Sequence, residues 1–209
     1  NNEAVSQFYA VNVDYQENYN VYGGMQDNGV WFGPNNYSHN VAWHQEGKYP
    51  YQELMGGDGM QTQIDSRNPN VVFTGYQFGN YYKINQKEGK FDYITPKAPN
   101  PETSGEKPYR FNWQTPILLS SHNQDILYMG SEFLHRSMNQ GETWERISGD
   151  LTNGAKEGNV AFGTLTTISE SKFQFGLLYT GSDDGKIHVS KDGGVSWQLI
   201  SSNLPQNLW

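Results

Sequence analysis

Ser190-Lys191-Asp192-Gly193-Gly194-Val195-Ser196-Trp197 and Ser137-Met138-Asn139-Gln140-Gly141-Glu142-Thr143-Trp144 repeat one pattern, Ser-x-Asn/Asp-x-Gly-x-x-Trp, with their tryptophans 53 residues apart. The spacing has a mechanical reading. A short polar side chain hydrogen-bonds the backbone of its own turn, and glycine supplies the positive φ that tight hairpins demand. The tryptophan three residues after the glycine then folds back as an apolar plug under the turn. Asn139 stands where the other copy has Asp192, a mild departure because amide and carboxylate make similar turn bonds.

A second anchor extends the repeat. Val21-Tyr22-Gly23-Gly24, Val72-Phe73-Thr74-Gly75, Leu127-Tyr128-Met129-Gly130 and Leu178-Tyr179-Thr180-Gly181 align without gaps, their last glycines 51, 55 and 51 residues apart. Each is preceded by a short apolar run: Val11 to Val13, Gln63-Ile64, Ile117 to Leu119 and Leu165 to Ile168. β-Branched and aromatic residues between Gly/Asn/Asp/Ser turns predict strands at 8–14, 20–25, 29–33 and 51–55 in the first unit. The same signals predict 60–65, 71–76, 80–85 and 91–95 in the second unit and 116–120, 126–131, 134–138 and 143–148 in the third. In the fourth they predict 163–169, 177–182, 186–190 and 196–201. No window sustains a 3.6-residue apolar period, so almost no helix is expected. Four strands per unit at a period near 50 residues is the pattern of β-propeller blades. The expectation is an all-β chain forming part of one propeller, with four-stranded antiparallel blades at approximately 7–56, 59–96, 115–148 and 162–201.

Head and tail share a phase. Asn203-Leu204-Pro205-Gln206-Asn207-Leu208-Trp209 aligns with Asn2-Glu3-Ala4-Val5-Ser6-Gln7-Phe8, so Trp209 would open a further unit as Phe8 opens the first. This predicts an incomplete ring, four blades of a larger propeller, completed by more polypeptide or by another chain, since uncovered sheet edges pair or aggregate.

The 14 basic and 22 acidic residues give a net charge of −8, which argues against nucleic acid or an anionic membrane surface as the main partner. No apolar run approaches the roughly 20 residues of a membrane span. With no cysteine, neither disulfides nor thiolate metal sites are possible, and the composition is compatible with export from a bacterium without establishing it. Mean hydropathy is low at −0.78. Yet 6 Trp, 14 Tyr and 10 Phe supply bulk for a core, so the chain reads as folded. Gly33 to Pro50, Lys97 to Lys107 and Gly149 to Gly158 interrupt the repeat and read as surface loops, because the strand pattern resumes in phase after each. Asn36-Tyr37-Ser38 matches a glycosylation sequon, a short motif that often arises by chance.

Blade topology sorts the loops. Turns between second and third strands share a face with the connections between blades; the Gly-x-x-Trp turns fall on the opposite face. The first face collects Asp27, Asn28, Asp58, Arg110, Asn112, Trp113, Glu132, Asp183 and Asp184. Carboxylates, amides and an indole are the mixture that sugar sites use, although Asp-Asn-Gly and Asp-Asp-Gly are also simply good hairpin turns. Arg110 either meets a ligand or pairs with Asp58 or Asp27 for structure. A glycosidase would need two carboxylates, roughly 5 or 6.5–9.5 Å apart; Asp27, Asp58, Asp183 and Asp184 are the candidates. The five histidines lack metal-ligand spacing. No cofactor is expected, with calcium at Asp58 or Asp183-Asp184 as a weak option.

The two turn segments resemble the Asp-box, or BNR repeat, of sialidases, family 74 glycoside hydrolases and sortilin-type domains. In that resemblance Ser137, Asn139, Gly141, Trp144, Ser190, Asp192, Gly194 and Trp197 are structural residues away from any active site. The wider run of Gln7-Phe8-Tyr9-Ala10-Val11, Tyr19 to Gly29, Gly57-Asp58-Gly59, Tyr109 to Ile117 and Ser148-Gly149-Asp150-Leu151-Thr152 is similar to large secreted bacterial BNR-repeat, sortilin-like propeller proteins, often labelled glycosyl hydrolases. The resemblance covers nearly the whole chain and implies a propeller, with secretion or surface attachment. It implies little about activity, because a fold does not fix function. There is no arginine triad of the sialidase kind and no convincing match to the catalytic segments of family 74. The resulting expectation is a non-catalytic binding or scaffold module whose ligand is a glycan or a protein. The alternative is a glycoside hydrolase using a carboxylate pair on the loop face.

Overall fold

The computed structural model describes residues 6–38 and 40–204. They form sixteen strands in four antiparallel sheets, each a simple meander of consecutive strands. The first sheet is β1 (Phe8–Val13), β2 (Asn20–Met25), β3 (Gly29–Pro34) and β4 (Gln52–Met55). The second is β5 (Gln63–Ile64), β6 (Val71–Tyr76), β7 (Asn80–Asn85) and β8 (Lys90–Tyr93). The third is β9 (Ile117–Leu119), β10 (Leu127–Gly130), β11 (Leu134–Ser137) and β12 (Glu145–Arg146). The fourth is β13 (Leu165–Glu170), β14 (Leu178–Ser182), β15 (Ile187–Ser190) and β16 (Gln198–Leu199). Two helices of one turn, α1 (Ala42–Glu46) and α2 (Pro101–Ser104), sit inside two of the three interrupting loops. Among the described residues no helix is long and apolar enough to cross a membrane. The head-to-tail phase match rests on residues 2–5 and 205–209, which lie outside the described residues.

The chain divides into two compact units, Asn1–Gln77 with Tyr81–Asp92, and Phe78–Asn80 with Tyr93–Trp209. In the first, the core is Tyr22, Ile64, Val72 and Ile84, with Phe32 stacked on Tyr22 at 5.4 Å between ring centroids. The glycine closing the second-strand anchor has a steric cause. A Cβ on Gly24 would lie 2.1 Å from the Met60 carbonyl oxygen of the next blade, and Gly59 N–H donates to Met25 O at 3.0 Å. Backbones that approach this closely leave room for hydrogen alone.

The second unit repeats the device. Leu165 N–H donates to Ser131 O at 2.7 Å, and a Cβ on Gly130 would lie 2.9 Å from Leu165 Cβ. Its core runs through Ile126, Tyr128, Leu134, Ile147, Leu151, Leu165 and Leu178.

The two Ser-x-Asn/Asp-x-Gly-x-x-Trp turns join β11 to β12 and β15 to β16, and three of their hydrogen bonds match atom for atom. Ser137 Oγ donates to Asn139 Oδ1 (2.9 Å) and accepts from Gly141 N–H (2.8 Å), while Asn139 Oδ1 accepts from Thr143 N–H (2.9 Å). Ser190, Asp192, Gly194 and Ser196 do the same at 2.8, 2.8 and 2.9 Å. Gly141 and Gly194 have φ of 90° and 97°, the region that favours glycine.

The tryptophans correct the sequence reading. They do not merely plug their own turns. Trp144 Nε1–H donates to Ile94 O at 2.6 Å and Trp197 Nε1–H to Ile147 O at 3.0 Å, each acceptor 50 residues upstream and just past the last strand of the preceding blade. A Cβ on Gly141 or Gly194 would strike Ile94 or Ile147. Within the second unit the Trp197 turn therefore works as a clasp between the fourth blade and the third.

Candidate functional site

The stretch from Tyr109 into β9 carries Arg110, Asn112 and Trp113, three of the residues predicted for the loop face. Arg110 lies at its centre. Its guanidinium donates to Gly163 O from Nε and Nη2, both at 3.1 Å, to Asp150 Oδ2 at 3.1 Å and to Glu132 Oε1 at 3.4 Å. The Arg110 backbone N–H adds a 2.8 Å bond to Glu132 Oε2. Where the sequence offers Asp58 or Asp27 as one alternative for a structural partner of Arg110, its partners are Glu132 and Asp150, which its own unit brings within reach. Burial pushes the Asp150 carboxyl up, but hydrogen bonds from Thr152 and the Arg110 guanidinium outweigh it and hold that carboxyl below the usual range.

Beside this network Asn112 Nδ2 donates to Thr164 Oγ1 (2.9 Å) and to Asp183 Oδ2 (3.3 Å). Asp183 also accepts from the N–H groups of Gly163 and Thr164, both at 3.0 Å, and from Thr164 Oγ1–H at 2.7 Å. Both of its oxygens are committed to holding the loop before β13. Asp184 accepts from Asn153 N–H and from Ser182 Oγ–H. In the first unit Asp58 is buried and its Oδ1 accepts from Asp27 N–H at 2.6 Å. Asp27 has φ 59° at the β2–β3 turn; its neighbour Asn28 bonds Gln26 O, and both are exposed. Among the described residues no cluster of three or more His, Asp or Glu side chains is arranged to hold a metal ion. Of the oxygens considered for calcium, Asp58 Oδ1 accepts from an N–H donor and the two Asp183 oxygens from N–H and O–H donors.

The aromatic part of the site was mostly missed by sequence reasoning. Trp113 meets Phe78 edge-on at 5.1 Å, and Phe78 N–H donates to Trp113 O at 3.3 Å. Phe78 occupies the β6–β7 turn at φ 60°, a conformation that a bulky residue adopts at a cost of about 1–3 kcal/mol. The residue is nevertheless 38% exposed. A groove of about 270 Å³ opens there, walled by Phe78, Tyr93, Tyr109, Phe111 and prolines 96, 99 and 108. Lys97 rides over the Tyr93 ring at 5.8 Å. Tyr109 packs at a tilt against His135 (4.6 Å) and edge-on against Phe133 (5.7 Å), and burial, opposed by Arg146, raises its phenol pKa. One signal could have found Phe78: it lies 51 residues after Asp27, at the same turn position of the repeat, where an aromatic is out of place.

No protein-family model matches the chain, and no curated protein sequence matches it. Solved structures do. The GH74 xyloglucanase from Xanthomonas campestris aligns with TM-score 0.60 at 15% identity, over 97% of this chain and 33% of its own. The Niastella koreensis GH74 enzyme gives 0.56 at 16%, over 94% and 30%. The extracellular domain of a B. thetaiotaomicron protein assigned as a hybrid two component system gives 0.53 at 14%, over 94% and 24%. The fold is that of a β-propeller. At these identities the likeness concerns fold alone, and the chain spans a third or less of the length of each of these structures.

Proposed function

We propose that this chain is a non-catalytic binding module of a secreted or cell-surface propeller protein, with a glycan laid along the aromatic groove beside the Arg110 network. The observation that carries the reading is Phe78. The fold holds a large aromatic residue in a left-handed turn and leaves it half-open to solvent next to Trp113, Tyr109 and Phe111. Stored backbone strain at an exposed aromatic points to recognition rather than packing. Flat apolar walls with a few fixed polar groups suit the C–H faces of sugars. A glycoside hydrolase would require two carboxylates available to a substrate. Here Asp58, Glu132, Asp150, Asp183 and Asp184 each already hold a backbone or side-chain donor. The Asp-box reading of the two turns accords with their matched hydrogen bonds. One of the similar propellers is an extracellular domain, which agrees with the proposed location.

The test is a glycan array with matched hydrolysis assays on the wild-type chain and Phe78→Asn. Asparagine tolerates positive φ, so the variant keeps the turn and loses the ring. Binding without hydrolysis, lost in Phe78→Asn with the circular dichroism spectrum intact, supports the reading. Hydrolysis of a bound glycan would transfer the assignment to the enzyme, and binding that survives the substitution would place the ligand elsewhere. A protein captured at the same groove, with no glycan bound, would change the ligand class.

A further inference from the structure

The clasp described above occurs twice, and its socket occurs three times. The last blade repeats the third blade's outer face at an offset of 53 residues, which makes Ile187, Ile200 and Leu204 the counterparts of Leu134, Ile147 and Leu151. The equivalence extends to the backbone. Ile147 N–H donates to Leu134 O and Ile200 N–H to Ile187 O, both at 2.9 Å. Ser148 Oγ accepts from Leu134 N–H at 2.8 Å and Ser201 Oγ from Ile187 N–H at 3.0 Å. The environments differ completely. Leu134, Ile147 and Leu151 are 0%, 8% and 4% exposed beneath Leu165, Leu178 and the Trp197 clasp, whereas Ile187, Ile200 and Leu204 are 37%, 45% and 51% exposed. The equivalent socket at Ile94, in the same unit, is also filled: Ile94 is buried, with Gly141 against its side chain and the Trp144 indole on its carbonyl.

We infer that the face formed by Ile187, Ile200 and Leu204 is a docking surface for one further blade of the same repeat, supplied by polypeptide outside these 209 residues. Its turn carries Gly-x-x-Trp, with the glycine seated on Ile200 and the indole N–H on the Ile200 carbonyl. The surface continues an interface that the chain already builds twice, which fixes the chemistry of the occupant. A second copy of this chain does not fit, because its two Gly-x-x-Trp turns are already seated on Ile94 and Ile147. The inference rests on blade packing and is independent of the ligand assigned to the aromatic groove.

The absence of cysteine makes the test clean. Ile200→Cys, Ile147→Cys and Val195→Cys are made in the full 209-residue chain. They are also made in a tandem chain in which residues 1–204 are followed by a second copy of residues 152–204, restoring a blade in phase. In the 209-residue chain the thiol at position 200 should react with a maleimide nearly as fast as the one at 195, and the thiol at 147 should be protected. In the tandem chain the thiol at 200 should slow at least tenfold, with the one at 195 unchanged. Ile200→Asp should leave the 209-residue chain folded and make the appended blade of the tandem chain sensitive to protease. A thiol at 200 that stays reactive beside a protease-resistant appended blade would overturn the inference, as would an appended blade that never becomes resistant. Protection at position 200 in the 209-residue chain, accompanied by dimers in sedimentation, would make the occupant a second copy and overturn it too.

Discussion

Replacing Trp197 by phenylalanine isolates the clasp. The ring is retained, but the indole N–H that bonds Ile147 O at 3.0 Å and Gly194 O at 3.2 Å is removed. Ile147 is buried, so its carbonyl loses a donor that water cannot easily replace, at a cost of about 1–3 kcal/mol. The smaller ring forfeits roughly 1 kcal/mol of apolar burial. Taken at the middle of these ranges the expected loss is about 2–3 kcal/mol. For a chain of this size that lowers Tm by roughly 4–12 °C, and it moves the urea midpoint by about 1 M at a slope near 2–3 kcal/mol per M. Urea titration followed by far-ultraviolet circular dichroism measures it. Trp144→Phe should cost at least as much, because its bond to Ile94 O is 2.6 Å. Val195→Ala, at an exposed position in the same turn, should stay within about 0.5 kcal/mol. If Trp197→Phe also fell within that margin, the indole bond would not couple the blades and the reasoning would fail.

Three further outcomes are expected. The Asp192 carboxyl is held down at about 2, by the Ser196 hydroxyl first and then by the Ser196 and Ser190 bonds; a depressed carboxyl contributes stability above its ordinary pKa that is lost as pH falls from about 4 to about 2. Asp192→Asn, which copies Asn139, should flatten the profile of Tm against pH in that window and change little at pH 7. Burial, followed by the charge of Arg146, lowers the His135 pKa to about 3, so the unfolded chain binds the extra proton and stability should decline as pH drops from about 6.5 toward 3; His135→Gln should remove that slope in urea titrations at stepped pH. Arg110→Ala leaves buried Glu132 without its cation and should cost about 3–5 kcal/mol in urea unfolding, with Arg110→Lys recovering part of the loss because it restores charge without the planar fork.

The inner strands were legible because they are short apolar runs between turn formers, whereas outer strands such as Glu145–Arg146 follow only from their place in the repeat. Val21-Tyr22-Gly23-Gly24 and its three counterparts fix the second strand of every blade, and the neighbouring strands follow from the turns. The bonds within the Ser137 and Ser190 turns were legible for the same reason: they join residues two to four apart. What sequence could not supply was the identity of distant partners. Glu132 and Asp150 reach Arg110 from 22 and 40 residues away, and Ile94 and Ile147 take the indole bonds across 50. These are consequences of blade packing, and no local pattern encodes them. Phe78 was missed for another reason. Its left-handed φ is imposed by the turn against its own propensity, and propensity is what a sequence reading measures.

The reach of the clasp has a consequence for how the molecule comes apart and together. Its bonds are either local to one turn or span a constant 50 residues, so stability is a chain of nearest-neighbour couplings, as in a stacked array. Folding need not await a single long-range closure; a formed blade can template the next, and loop-closure entropy is met in equal small steps. Fluctuations should follow the same grammar. Amides of β12, locked under Trp197, should exchange with solvent far more slowly than those of β16, and hydrogen exchange should show protection stepping from blade to blade.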